Sequence, residues 1–521
     1  MPKPTKSSFV KVPSRSKQLS DQFTAPRPSV ADRMDAGKRL RTTIPKASLA
    51  EHQPPKNRKD PVAILEAQAK TRIQSLIPVR YARMLQSPFA FLRGTAAVMA
   101  QDLSSSPVTG LQVQLCGDMH VSNFGVCASP ERSLVFGIND FDETIPGPWE
   151  WDLKRLATSA VVAGQFIGKD RASCEAYSRA IVNSYRQRIR EFSEMGYLAT
   201  WYSVIHEEDI LAAAPPKLLD KWEKAINKAK KGSHLQVLEK MTDLIDNKQR
   251  IVENAPFVVR ETKTDQGMPI REALGLFLEQ YLASLTEDRK QLISRYQVLD
   301  AARKVVGVGS VGTRCWIAFM RGKDEGDPLF LQYKEAQESV LAPYLKAPKF
   351  RNEGERVVSG QHLIQGSPDI LLGWGFLNKT SFYVRQLRDM KGSYEFDPET
   401  TNHKGMEAYC SLCGWALALA HAKSGDAAMI SGYLGKTDEI DEALTKFAFS
   451  YSEQNERDYD ELKEAARTKR IKVSEVARPL KVALLQPSQR AIATSVQDSV
   501  GPSATDRQVN TTGPLKVKTH R

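Results

Sequence analysis

Apolar positions along this chain change their period twice. Asp60–Pro61 is an N-cap followed by a proline at the first helical position. Leu65, Ala69, Ile73 and Leu76 then recur at helical spacing and predict a helix that Pro78 breaks. Segments 112–116 and 133–138 alternate and predict strands. From Trp151 to about Leu299 the period is helical, and 176–195, 217–247 and 272–299 read as long, charged helices rich in good helix formers. Then 305–308, 314–320 and 329–334 predict three short strands between Gly-rich or Asp/Gly-rich turns, with 380–387 a fourth. Tyr409, Leu412, Cys413, Ala416, Leu419 and Ala420 share one helical face that stops at Gly425. The body is therefore α+β.

The chemistry concentrates where two predicted strands end. Leu115–Cys116–Gly117–Asp118 closes one strand, and Met119–His120–Val121–Ser122–Asn123 then offers an imidazole and a carboxamide. The next strand runs into Ile138–Asn139–Asp140–Phe141–Asp142–Glu143. Carboxylates and an amide on adjacent strand ends are the hard oxygen donors that Mg²⁺ takes, and a carboxylate left off the metal can accept a hydroxyl proton. A second constellation is Gly307–Val308–Gly309–Ser310–Val311–Gly312, with Lys334 on a later strand. A β-prone run, 315–320, follows the glycines. It predicts a hairpin that lets backbone N–H groups approach phosphates, not the helix opening of a dinucleotide fold. Glu355, with Glu338 behind it, is the predicted anionic partner of Lys334. Arg385, Arg388 and Lys391 read as a solvated edge, with acceptor or phosphate binding as the alternative. Cys410 and Cys413 read as buried thiols, and His421 as a partner of its helix's C-terminal dipole.

Asp118, Asn123 and Asp140 together resemble the G-D-x-H-x-x-N … D-x-[DE] pattern of aminoglycoside-phosphotransferase-like kinases. The resemblance implies Asp118 as catalytic base, with Asn123 and Asp140 as Mg²⁺ ligands and Asp142 assisting. It implies that Gly307, Gly309, Ser310, Gly312 and Lys334 hold ATP. It continues through Gly147–Pro148–Trp149–Glu150–Trp151–Asp152–Leu153, where Asp152 buttresses the catalytic loop and His120 supports that loop's geometry. Cys116 stands where those kinases usually have His. Over about 32–470 the chain also resembles a bacterial family, domain of unknown function 2252. That likeness rests on Ser87–Pro88–Phe89–Ala90–Phe91–Leu92–Arg93–Gly94 and His421–Ala422–Lys423–Ser424–Gly425–Asp426, and it brings no substrate with it.

In such kinases the glycine loop and lysine precede the catalytic loop; here they follow it. The resemblance thus implies a protein-kinase-like, two-lobed fold that is circularly permuted, with a helix-rich large lobe and a small antiparallel-sheet lobe. The helix 409–422 resembles the one that usually enters the catalytic loop, and it lies near the other end, as a cut before that loop requires. The boundaries that follow are a basic disordered tail, 1–30; N-terminal helices, catalytic loop and helical lobe, 31–300; the sheet lobe, 301–395; returning helices, 396–477; and a second disordered tail, 478–521.

Charge changes the picture only at the ends. The formal net charge is +13, but 1–60 carry 14 Lys/Arg against 5 Asp/Glu and 478–521 carry 7 against 2, so the body is nearly neutral. Nucleic-acid contact is expected only weakly, through those tails. Six cysteines without a disulfide framework, no apolar leader and no apolar run near the ~20 residues of a membrane span lead to a cytoplasmic expectation. The expected activity is ATP- and Mg²⁺-dependent phosphoryl transfer to a hydroxyl of a small-molecule or protein acceptor. Two alternatives use the same residues: nucleotide binding without turnover, as in a pseudokinase, and nucleotidyl transfer from ATP. A metallophosphoesterase is the less favoured reading, since it would need an Asn–His–Asp/Glu run and paired His ligands, and Asn402–His403 is followed by Lys404.

Overall fold

Two short antiparallel pairs decide where the chemistry sits. In the computed structural model, which describes residues 23–232, 234–245, 248–264, 267–346, 350–387 and 390–475, the first four strands are β1 (Gln112–Leu115), β2 (Phe124–Ala128), β3 (Leu134–Ile138) and β4 (Ile145–Pro148). β1 pairs with β4 and β2 with β3. The chain leaves β1 for β2 and leaves β3 for β4, so the loops 116–123 and 139–144 must begin and end side by side. Asn139 N–H donates to Asn123 O at 3.0 Å between them. β5 (Ile205–His206) extends the edge of β3.

The helices named below are α1 (Val30–Arg39), α2 (Pro61–Ala69), α3 (Ile77–Met84), α4 (Trp149–Phe166), α5 (Arg171–Glu194), α6 (Ile270–Ser284), α7 (Glu353–Ile364), α8 (His403–Ser424) and α9 (Glu439–Arg467). α4 is buried along 149–164, the mark of a helix surrounded by others. Residues of α4, α5, α8 and α9 share the largest apolar core. α4 also carries the loop's anchor. Asp152, 1 % exposed, accepts the N–H groups of Cys116 (2.6 Å) and Gly117 (3.0 Å). His421 on α8 lies 3.5 Å from the same carboxylate and hydrogen-bonds Tyr185 Oη at 2.8 Å, so it braces this anchor instead of capping a helix dipole. Gly117 has φ +89°, and a Cβ there would lie 2.4 Å from Glu143 O; no other residue fits.

β6 (Thr242–Ile245) and β7 (Lys248–Ile251) form a pair of their own. β8 (Val258–Val259), β9 (Gln297–Lys304), β10 (Cys315–Arg321), β11 (Pro328–Ala336), β12 (Gly373–Leu377) and β13 (Thr380–Gln386) build a six-stranded sheet, ordered β12-β13-β11-β10-β9-β8, antiparallel throughout. Alternation along β11 sends Leu329, Leu331 and Tyr333 into a cluster with Phe277 and Tyr281 of α6, and Phe330 into another with Ile317 and Phe319. Lys334 shares the parity of Phe330 and Gln332.

Several sequence expectations need correction. The helix expected over 272–299 stops at Ser284, is followed by a separate short helix, Glu287–Ile293, and then gives way to β9; 305–308 is turn, not strand, because Gly307 takes φ +63°. The helix expected over 217–247 breaks after Lys230 and ends in β6. The helix expected to run until Pro78 ends at Ala69, and Pro78 lies in the first turn of α3 instead. The predicted tails and Arg388 lie outside the described residues, except 23–30, which lead into α1. Among the described residues no helix is long and apolar enough to cross a membrane.

Asp152 offers a direct test of the loop's anchorage. Asp152→Ala leaves two buried N–H groups without an acceptor and is expected to lower the unfolding free energy by about 3–5 kcal/mol in urea titration. Asp152→Asn, which keeps one acceptor, should lose less. A loss under about 1 kcal/mol for the alanine variant would remove Asp152 as the anchor.

Candidate functional site

The two loops, the β9–β10 turn and the segment 68–96 line an open-mouthed cleft. Asp118, Asn123, Asp140, Asp142, Gly307, Gly309 and Ser310 line it. Lys334 sits behind this wall, 2 % exposed, ion-paired with Asp142 and with its Nζ 3.8 Å from Asp140 Oδ1. Burial alone would pull the ammonium's pKa down; Asp140 and Asp142 outweigh it and hold the group charged. Glu355 is not its partner. That carboxylate accepts the Arg351 N–H at 2.8 Å at the start of α7, where a first-turn acid is already useful.

The three predicted metal ligands differ in what they have left to offer. Asp142 is already engaged: it accepts from Tyr383 Oη (2.7 Å) and Ser310 Oγ (3.2 Å), besides Lys334. Lys334 and these donors hold its pKa low against the push of burial. Asn123 donates Nδ2 to Asp118 O at 2.7 Å, which leaves its Oδ1 free to ligate. Asp140, its side chain 35 % exposed, faces the cleft. Asn123 and Asp140 therefore fit a hard cation, and Asp142 serves Lys334 instead. Among the described residues no three His, Cys, Asp or Glu side chains group to hold a metal alone. Mg²⁺ at a nucleotide needs only one or two carboxylates, with phosphate and water completing the shell.

Asp118 is gripped by an arginine. Arg155, on α4 one turn beyond Asp152, gives Nε (2.9 Å) and Nη2 (2.5 Å) to Asp118 Oδ1, and Nη2 also to Leu92 O at 2.7 Å. Among the described residues Oδ2 takes no hydrogen bond; His120 Nε2 is 3.8 Å away. Burial pushes the carboxyl's pKa up, with Arg155 opposing. Burial and nearby Arg93 and Arg155 push His120 far down, so its imidazole is neutral.

The β9–β10 turn is clamped from outside. Arg72 Nη1 donates to Gly309 O (2.6 Å) and Val311 O (2.7 Å), Arg83 Nη1 to Gly307 O, and Ile73 N–H to Gly312 O (2.8 Å). With its carbonyls taken, the turn keeps the N–H groups of Gly309 and Ser310, which donate to nothing among the described residues. Gly312 packs on Arg72 at the far end of the turn and is not part of the cleft wall. Arg385 donates to Gln332 Oε1 and Asn139 O, each at 3.1 Å, so it braces the acid loop and is no solvated edge.

The sequence reading missed Arg72, Arg80, Arg93, Arg155 and Glu143. Arg155 left one readable signal, its i+3 spacing from Asp152. Glu143 lines the cleft, accepting the Val340 N–H at 2.7 Å, and burial pushes its carboxyl up to about 7. A carboxyl raised from 4.5 in the unfolded chain contributes stability that is full below that value and is lost as pH rises through about 7. Glu143→Gln has no such proton to lose. The melting temperature of the variant relative to wild type should therefore climb between pH 5 and pH 8; a constant difference would place the Glu143 carboxyl near its ordinary pKa.

The chain matches the model of a bacterial family described as "Uncharacterized protein conserved in bacteria (DUF2252)" over residues 72–465. No match was found among curated proteins or solved structures. The matched span takes in both loops, the glycine turn, Lys334 and the clamping arginines. With most of its length matched, and every wall of the cleft but Gln68 inside the match, the chain belongs to this bacterial family.

Proposed function

We propose that the cleft transfers the γ-phosphoryl group of ATP, with Mg²⁺, to a hydroxyl of an acceptor, on a kinase-like two-lobed fold that is circularly permuted. The observation that carries this reading is the meeting of Lys334 with Asp140, 3.8 Å apart although remote in sequence, behind a cleft that Asp118, Asn123 and Ser310 line. One ATP tail has to reach both charges in such an enzyme. The glycine run joins two antiparallel strands and opens no helix, which speaks against dinucleotide binding.

In this reaction the acceptor oxygen attacks the γ-phosphorus, the bond from that phosphorus to the β–γ bridging oxygen breaks, and ADP departs with the bonding pair. Asp118 Oδ2, the oxygen Arg155 leaves alone, receives the hydroxyl proton. Lys334 and the N–H groups of Gly309 and Ser310 are the chain's donors for phosphate oxygens. Asn123 and Asp140 would hold Mg²⁺, which when bound neutralises charge on the phosphates.

Nucleotide binding without turnover is the second reading, and Arg155's grip on Asp118 favours it. Calorimetry and product analysis separate the two. Asp140→Asn should weaken Mg-ATP binding at least tenfold and leave metal-free ATP binding nearly unchanged. Asp118→Asn should keep Mg-ATP binding and slow ADP formation by roughly 10²–10⁴-fold. Equal Mg-ATP affinities would exclude Asp140 from the metal, release of AMP would mean nucleotidyl transfer, and no turnover in wild type would leave the second reading.

A further inference from the structure

One wall of the cleft is built from arginines whose buried donors are unmet among the described residues. Arg80, on α3, is 1 % exposed yet lines the cleft. Its Nη2 donates to Gln68 Oε1 (2.9 Å) and Gly94 O (3.3 Å), while Nε and Nη1 have no partner among the described residues. No carboxylate pairs with it, and the charge acting on it most is another cation, Arg72. Arg93 also lines the cleft, and its buried Nε is likewise unpartnered. Asp118 and Asp140 act on Arg93 through space without forming an ion pair with it. Arg72 has an orphan Nε of its own, its Nη1 being held by the turn.

Burying a guanidinium without a counter-charge or its hydrogen bonds is among the most unfavourable arrangements a fold can hold. Arg72 and Arg80 repel each other, and the carboxylates that act through space on Arg72 (Glu143, Glu335, Asp142) and on Arg93 (Asp118, Asp140) leave the Nε donors of both unmet, so packing alone gives no reason for them. An oxyanion supplies what is missing: negative charge, and lone pairs for planar N–H donors. We infer that Arg80 and Arg93, with Arg72 beside them, bind an anionic group, phosphate or carboxylate, carried by the acceptor of the phosphotransfer proposed above. The assignment to the acceptor rests on that reading; the anion site itself does not.

Two observations separate this group from the nucleotide's phosphates. The phosphate donors of the nucleotide reading, Lys334 and the turn's N–H groups, belong to the sheet, whereas Arg80 and Arg93 come from the N-terminal segment. Arg93 follows Leu92, whose carbonyl takes the same Arg155 Nη2 that holds Asp118, and Asp118 is where the attacking hydroxyl must lie. The remaining acids of the cleft, Asp140, Asp142, Glu143 and Glu335, would repel an anion and leave it this one wall.

The test is calorimetric titration of the full chain with orthophosphate and, separately, succinate, each with and without the non-hydrolysable analogue Mg-AMPPNP. At least one anion should bind wild type in the millimolar range or tighter with the analogue present. Arg80→Gln and Arg93→Gln should each weaken it about tenfold or more and change analogue affinity less than about threefold. Preference for orthophosphate marks a phosphorylated acceptor, preference for succinate a carboxylated one. Arg80→Gln removes an unpaired buried charge, so without anion it should melt no lower than wild type. A much lower melting temperature would make Arg80 structural and overturn its role. The inference also fails if neither anion binds, or if the analogue displaces both and the two variants weaken the analogue instead. Loss of anion binding in the variants of a protein that never binds the analogue would leave the anion site standing and sink the phosphotransfer reading.

Discussion

A lysine 2 % exposed in the middle of a sheet can stay charged only if carboxylates come to it, and the position of the acid loop follows from that requirement. Asp142 and Asp140 answer Lys334 from the loop 139–144. Once they do, neighbouring groups fix the loop further. Arg356 on α7 donates to Thr144 O (2.7 Å), Asp142 O (2.9 Å) and Gln337 O (2.7 Å), tying loop and sheet to one guanidinium. Ser339 Oγ and Val340 N–H reach Glu143 from beyond β11. The loop 116–123 then has no independent choice, because β1 is paired with β4 and β2 with β3. Asp118 reaches the cleft as a consequence of where Lys334 lies.

What could be read beforehand was what depends on neighbours in sequence. Strand alternation ending in Gly–Asp gave β1 and its loop, and 133–138 gave β3 with the acids behind it. Asp60–Pro61 gave the start of α2, and Gly425 the end of α8. The break after α6 and the switch to β9 were hidden because good helix formers run on past Ser284 through a second short helix, Glu287–Ile293, with no glycine or proline to mark either change. Val305 and Val308 look like strand, yet the sheet leaves them out, since the two strands must turn somewhere and the glycines are there.

The site was legible in Asp118, Asn123, Asp140 and Lys334 and illegible in its arginines. Asp118, Asn123 and Asp140 stand out because carboxylates and an amide clustered within two short segments are uncommon. An arginine in a helix looks the same whether it is solvated or buried without a partner, and only the closed structure separates the two for Arg80 and Arg93. Glu355 failed for a related reason. A first-turn acid has a use at its own helix end, where Asn352 caps and Arg351 pairs, and nothing local says whether a distant lysine also claims it.

The segment 72–93 connects these points. Through Arg72, Ile73 and Arg83 it takes up carbonyls of the β9–β10 turn, which leaves the turn's N–H groups of Gly309 and Ser310 turned to no protein acceptor. The same segment supplies Arg80 and Arg93, whose Nε atoms, with Nη1 of Arg80, have no partner among the described residues. Leu92 O, at its end, receives Arg155, the residue that holds Asp118. One stretch of chain therefore rests on the glycine turn, the orphan cations and the grip on the carboxylate. Because Arg93 follows Leu92 directly, and Leu92 O takes Arg155, the cation wall and the hold on Asp118 share one run of backbone.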